Sequence, residues 1–159
     1  MSQFMSIVLS LLIALPGALA GNLIVHNQCT FGMWCGSAAN DGTFTPAIRV
    51  ESGGFYTSPQ PAIPGARGVV VKCGLDSNIQ EPYQLEVAQD ADTRTWLDLS
   101  DLNGHPFQAY HRHAEIAGTS CVLDCPAGVT TCEWPNQLDC YTTQDVVLTI
   151  CTVMFVLRG

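Results

Sequence analysis

Short apolar or alternating segments, separated by turn residues, recur along the chain and predict β-strands. The predicted strands cover residues 23–27, 43–45, 47–51, 68–73, 84–88, 95–99 and 146–151. The segments 84–88 and 95–99, joined by a polar bend, predict a β-hairpin. No segment sustains the helical period over more than two turns. Many short strands are typical of a sandwich or barrel, and we predict an all-β fold, an antiparallel β-sandwich.

The first 20 residues contain no charged side chain and carry an apolar run at 7–15, a Pro16-Gly17 breaker and small residues up to Ala20. This pattern is typical of a secretory signal peptide that is cleaved after a small residue. The apolar run is shorter than the roughly 18 residues that span a bilayer, so no membrane anchor is expected after cleavage. We therefore expect a signal peptide at 1–20 and a single secreted domain at 21–159.

The chain has eight cysteines, all of them after the predicted signal peptide. An even number in a secreted chain indicates four disulfides, although about a hundred pairings are open. The Cys121-x3-Cys125 spacing lacks the second cysteine pair or the histidine pair of a zinc site, so we expect structural disulfides and no metal. The stretch from Cys121 to Cys140 holds four cysteines and little apolar periodicity. It predicts a short disulfide-rich loop excursion.

The net charge of −8 excludes one class of partner. A negative chain is repelled by phosphate backbones, so no nucleic-acid partner is expected. The sequence also has no Gly-x-Ser-x-Gly elbow and no Gly-x-Gly-x-x-Gly loop, and we expect no cofactor.

Three pieces of the sequence, in order, resemble the thaumatin-like proteins, and in particular the small fungal CetA-like group of antigenic, yeast-phase-specific proteins. The first is Ile-Val-His-Asn-Gln-Cys at 24–29, followed by aromatic residues up to Trp34. The second runs from Glu86 through Trp-Leu-Asp-Leu-Ser-Asp-Leu-Asn-Gly-His-Pro-Phe at 96–107. The third is the closing Cys-x10-Cys at 140–151. The resemblance implies a thaumatin-like sandwich.

The same resemblance implies how the cysteines pair. The implied disulfides are Cys29–Cys151, Cys121–Cys140, Cys125–Cys132 and Cys35–Cys73.

An acidic binding cleft is also implied by the resemblance. Glu86 and Asp98 correspond to its Glu and first Asp, Lys72 lies near its Arg, and Asn103 replaces the next Asp. Because Asn cannot ionise, the negative field of such a cleft is weakened here. The implied ligand is cell-wall β-glucan or an extracellular protein.

Apart from the resemblance, the residue types and positions of Glu86 and Asp98 allow three interpretations. Two carboxylates on neighbouring strands are the groups that a glycosidase needs, if their separation suits. Solvent-facing strand positions carry acids without any function, and acids also bind saccharides or partners without catalysis. We therefore name no catalytic residue and keep Glu86 and Asp98 as candidates.

The histidines and aromatic residues leave further alternatives. If residues 111–113 were a strand, His111 and His113 would point to the same face, and with His105 they make a copper or zinc site conceivable. The favoured interpretation is surface histidines, which would make binding depend on pH between about 5 and 8. The Trp and Tyr residues would stack on sugar rings if exposed in a row, or else belong to the core.

Together with the resemblance, these observations predict a non-enzymatic protein, either secreted or associated with the fungal cell wall, that binds β-glucan and acts in wall morphogenesis or germination. The alternatives are a weak β-1,3-glucan hydrolase using Glu86 and Asp98, and a secreted effector or inhibitor that binds a foreign protein.

Overall fold

The structure is a computed structural model and describes residues 20–152. The predicted signal peptide, apart from Ala20, lies outside these residues. So does the apolar tail at 153–159, which we expect to form a strand extension or a packed terminus. Within the described range there is no helix long and apolar enough to cross a membrane.

The described chain forms β-strands connected by turns and loops. In chain order they are β1 (Leu23–Asn27), β2 (Met33–Ala39), β3 (Ile48–Val50), β4 (Phe55–Thr57), β5 (Val69–Gly74), β6 (Tyr83–Gln89), β7 (Arg94–Ser100), β8 (Arg112–Ile116), β9 (Val122–Cys125), β10 (Gln137–Tyr141) and β11 (Val146–Ile150).

These strands form two sheets. Sheet I has five strands in the order β4-β1-β11-β8-β9, and sheet II has six in the order β10-β7-β6-β5-β2-β3. The predicted hairpin is β6 and β7, which pair in antiparallel register. The all-β sandwich is confirmed, but β1 and β11 run parallel, so the first and last described strands lie side by side.

The core lies between the inner faces of the sheets. Successive side chains of a strand point to opposite faces, so each strand supplies every second residue to the core. On β1, for example, Leu23 and Val25 are fully buried while Ile24 and His26 are partly exposed. Core residues from both sheets include Leu23, Val25, Val71, Leu85, Leu97, Leu99, Ala114, Ile116, Leu148 and Ile150.

Four disulfides join Cys29 to Cys151, Cys35 to Cys73, Cys121 to Cys140 and Cys125 to Cys132. These are the pairs that the resemblance implies. The first links the ends of β1 and β11, and the second links β2 to β5 at directly opposed positions. The fold is therefore cross-linked within both sheets.

Two predicted segments differ from the structure. Residues 43–45 are not a strand and contribute one isolated bridge, between Ala38 and Phe44. Main-chain hydrogen bonds still hold this segment to β2, from the Ala39 amide to the Thr43 carbonyl and from the Thr45 amide to the Ser37 carbonyl. The Thr45 hydroxyl also accepts a hydrogen bond from the Ser37 amide. The Cys121–Cys140 stretch is not loop throughout, since β9 and β10 lie at its two ends and belong to different sheets. Only residues 126–136 between them form the loop.

Candidate functional site

A cleft on the outer face of sheet II brings together several predicted site residues. Glu86 on β6 lies directly opposite Asp98 on β7, and Val70 on β5 lies opposite Glu86. Because Leu85 and Val87 point into the core, Glu86 between them points outward. The same alternation turns Lys72 of β5 to the outer face. The hairpin thus places two carboxylates side by side with an ammonium group one strand away.

We call this depression the outer cleft, and its volume is about 450 Å³. Its polar side chains come from four neighbouring strands. They are Lys72, Glu86, Asp98 and Gln137, with Trp96 beside them and the small or apolar residues Ala38, Val70 and Ala88 completing the wall. The cleft therefore combines hydrogen-bonding groups with an aromatic ring.

Asp98 is the most unusual group in the outer cleft. Its side chain is buried and Oδ1 has no hydrogen-bond partner in the described part of the chain. Oδ2 accepts a long hydrogen bond of 3.4 Å from Nε2 of Gln137. The pKa of Asp98 is raised to about 6, mainly by burial and secondly by the negative charge of Glu86. Near pH 6 this carboxyl group can therefore donate as well as accept a hydrogen bond.

An aromatic and cationic strip borders the cleft. Nε1 of Trp96 donates to Oδ2 of Asp90 at 2.9 Å, which orients the indole ring. The Arg94 guanidinium lies 5.4 Å from the Trp96 ring centre and 4.8 Å from that of Tyr141. Tyr141 is 66% exposed. The half-buried Trp96 and the exposed Tyr141 thus lie on either side of Arg94, whereas Tyr56 is part of the core.

The outer cleft differs from the implied acidic cleft at one residue. Asn103 lies in the exposed turn after β7 and is not among the lining residues. Gln137 of β10 occupies the position beside Asp98 instead. Sequence reasoning missed Gln137 because the apolar alternation of β10 is limited to Leu138 and Cys140, which is too short to predict a strand or its pairing with β7.

A second polar cluster lies in the interior. The fully buried Arg112 and Glu133 form an ion pair, and the Tyr83 hydroxyl donates to Oε1 of Glu133 at 3.0 Å. The pKa of Tyr83 is raised well above its ordinary value, mainly by burial and secondly by the negative charge of Glu133. This hydroxyl therefore stays protonated. Arg112 also donates to four main-chain carbonyl groups, at Gln108, Tyr110, Pro126 and Val129. The cluster fixes the 126–136 loop against β8.

The three histidines at 105, 111 and 113 do not form one cluster. His105 lies by the interior network, with Nε2 at 3.4 Å from Oε1 of Glu133. His111 and His113 lie elsewhere, on the outer face of sheet I beside Asp124 of β9.

The two disulfide-linked sheets form a β-sandwich of the thaumatin-like fold, as comparison with solved structures shows. The protein elicitor MoHrip2 from Magnaporthe oryzae superposes with a TM-score of 0.74 at 19% identity, over 84% of this chain and 100% of the other. The thaumatin-like xylanase inhibitor TLXI superposes with a TM-score of 0.61 at 12% identity, over 82% and 99%.

The family assignment comes from the sequence. The family model described as Bys1, Blastomyces yeast-phase-specific protein, matches residues 10–152. The chain belongs to this family. No curated protein matches it significantly.

Proposed function

We propose that this chain is a secreted, non-enzymatic protein of the fungal cell wall that binds β-glucan in the outer cleft. The observation that carries the proposal is the grouping of Glu86, Asp98 and Gln137 beside Trp96 on one exposed sheet face. Four disulfides support secretion, since such bonds persist in oxidising compartments. A role in wall morphogenesis or germination, as in the CetA-like group, is part of this proposal.

The chemistry of the cleft suits a neutral polysaccharide. An aromatic face covers the apolar side of a sugar ring, and the half-buried Trp96 in the cleft wall and the exposed Tyr141 beyond Arg94 are the aromatic residues available. Sugar hydroxyl groups both donate and accept, and the carboxyl and amide groups of Asp98 and Gln137 can satisfy them. A few polar groups beside an apolar surface are the usual composition of a small-molecule site.

Glu86 and Asp98 face each other across adjacent strands, so the same two acids are the groups that a glycosidase would use. Our proposal is binding without hydrolysis, and the β-1,3-glucan hydrolase is the alternative. Release of reducing sugar distinguishes the two.

The test is retention of the purified chain 21–159, with its disulfides intact, on insoluble β-1,3-glucan, chitin and cellulose. We expect retention on β-1,3-glucan that falls at least about tenfold in Glu86→Ala/Asp98→Ala, because a site that loses two charged hydrogen-bonding partners loses more than about 1.4 kcal/mol. Trp96→Ala is expected to lose retention as well.

The matched control is Glu51→Ala/Glu81→Ala, which removes the same charge from exposed positions outside the cleft. Retention equal to that of the unchanged protein is expected. Retention that survives in the Glu86→Ala/Asp98→Ala variant would contradict the cleft as the binding site. Reducing sugar released during the incubation would favour the glucan hydrolase instead.

A second candidate function is binding of a foreign protein. It is favoured by the two structural neighbours, one a protein elicitor and the other a xylanase inhibitor. Titration of the chain 21–159 against a panel of xylanases measures it directly. Inhibition with a 1:1 end point, combined with no retention on any polysaccharide, would replace the β-glucan proposal with this one.

A further inference from the structure

A second group of chemically active side chains lies on the outer face of sheet I, away from the outer cleft. It consists of His111, His113 and Asp124, and we call it the histidine cluster. His113 of β8 is directly opposite Asp124 of β9. His111 immediately precedes β8, and its ring reaches the same Asp124 carboxylate.

The ligand atoms of the cluster converge. Nε2 of His111 lies 2.7 Å, and Nδ1 of His113 2.9 Å, from the same Oδ1 atom of Asp124. One such atom from each residue lies within 4.8 Å of the others. In a tetrahedral site with bonds of about 2.0–2.1 Å, ligand atoms are about 3.3 Å apart. A small rotation of the Asp124 carboxylate therefore makes room for an ion.

The scaffold around the cluster holds its side chains in place. The His111 side chain is only 10% exposed. Its contact with Asp124 is the one hydrogen bond of its ring in the described residues. Asp124 immediately precedes Cys125, which is buried and cross-linked to Cys132. The burial of His111 and the disulfide next to Asp124 thus restrict the positions of the side chains that would bind a metal ion.

A further carboxylate, that of Glu115, lies near the ring of His113. Oε2 of Glu115 lies 3.6 Å from Nε2 of His113, on the side of the ring opposite Asp124. A carboxylate there favours the tautomer protonated at Nε2, which leaves the lone pair of Nδ1 directed into the cluster. Histidine ligands of metal ions commonly have such an outer carboxylate.

We propose that His111, His113 and Asp124 form a binding site for a divalent transition-metal ion, of which Zn²⁺ is the representative. Two imidazole nitrogens and one carboxylate oxygen suit Zn²⁺ and Cu²⁺, whereas Ca²⁺ and Mg²⁺ require six or more oxygen ligands. Asp124 is 45% exposed, so water fills the remaining position on the solvent side. This inference is independent of the β-glucan proposal and differs from the sequence-based expectation of no metal.

The experiment is calorimetric titration of the tag-free chain 21–159 with Zn²⁺. We expect saturable binding of one ion per chain, with tighter binding of Cu²⁺ and none of Ca²⁺ or Mg²⁺ at the same concentrations. His111→Gln or His113→Gln should each weaken Zn²⁺ binding by about 100-fold or more. Glu115→Gln, which removes only the outer partner, should weaken it by about 10-fold.

The matched control is His26→Gln, since His26 lies on the same sheet face but stacks on Phe55, away from the cluster. Its Zn²⁺ affinity should equal that of the unchanged protein, and circular dichroism checks that every variant is folded. Absence of saturable Zn²⁺ binding would overturn the proposal. So would an equal loss of affinity in His26→Gln, or equal uptake of Ca²⁺, which would indicate attraction to the acidic surface alone.

Discussion

Asp98 is costly to the fold in its charged form, because its carboxylate is buried and one oxygen has no partner in the described residues. Its pKa in the folded chain is about 6, above the value of about 3.9 in an unfolded chain. Since the folded state holds this proton more tightly, the contribution of Asp98 to stability decreases as pH rises from about 4 to 6. The ionised Asp98 therefore lowers the stability of the folded chain above about pH 6.

Asp98→Asn tests this cost. At pH 8 the variant should increase the free energy of unfolding by about 1–3 kcal/mol, because it removes a buried charge, and at pH 3.5 the difference should vanish. Urea unfolding of both proteins at the two pH values measures it, with the exposed Glu81→Gln as control. A gain of the same size at both pH values would show that the charge is not its origin.

At the scale of elements, the Arg112–Glu133 pair joins strand β8 to the loop between β9 and β10. Both side chains are fully buried, so loss of one partner leaves the other charge without compensation in the interior. Glu133→Gln should lower the free energy of unfolding by about 3–5 kcal/mol, measured by urea unfolding at pH 7. Glu51→Gln breaks the exposed pair with Arg49 and should cost far less. Similar losses in both variants would contradict the structural role of the buried pair.

The strands that the pattern predicts are those with an apolar side toward the core, such as β1, β6 and β11. The sequence does not reveal β8, because the buried Arg112 occupies an inward position where an apolar residue is expected. Likewise β10 has only Leu138 and Cys140 as partly buried apolar positions, which is too short a pattern to predict a strand. Its pairing with β7 joins distant segments through main-chain hydrogen bonds, so no local pattern indicates it.

At the scale of the whole molecule, the Cys29–Cys151 disulfide closes most of the described chain into a loop. The two cysteines are separated by 122 positions, whereas Cys125 and Cys132 are separated by only 7. In the chain-entropy description, the longer loop restricts the unfolded chain more, by about 2 kcal/mol. In this description, the Cys29–Cys151 disulfide stabilises the fold mainly by reducing the conformational entropy of the unfolded chain.

Replacement of both partners by alanine tests this difference. Cys29→Ala/Cys151→Ala should lower the free energy of unfolding by about 4–5 kcal/mol, and Cys125→Ala/Cys132→Ala by about 2–3 kcal/mol. Urea unfolding of the two double variants under one set of conditions compares them. An equal loss would mean that local contacts around each bond outweigh loop length.

The outer cleft and the histidine cluster lie on the outer faces of different sheets, with the core between them. Loss of Glu86 and Asp98 is therefore expected to leave Zn²⁺ affinity unchanged, and loss of His113 to leave glucan retention unchanged. This separation makes the two proposals independently testable in one set of proteins.

The amino-acid sequence by itself determined the all-β class and the hairpin of β6 and β7, because alternation and turn residues act locally. It also placed Glu86 and Asp98 on neighbouring strands. Only the tertiary structure decided that Gln137 lies beside Asp98 and that Asp124 meets His111 and His113. Those contacts join distant segments, and their register is set by main-chain pairing and core packing rather than by any local pattern.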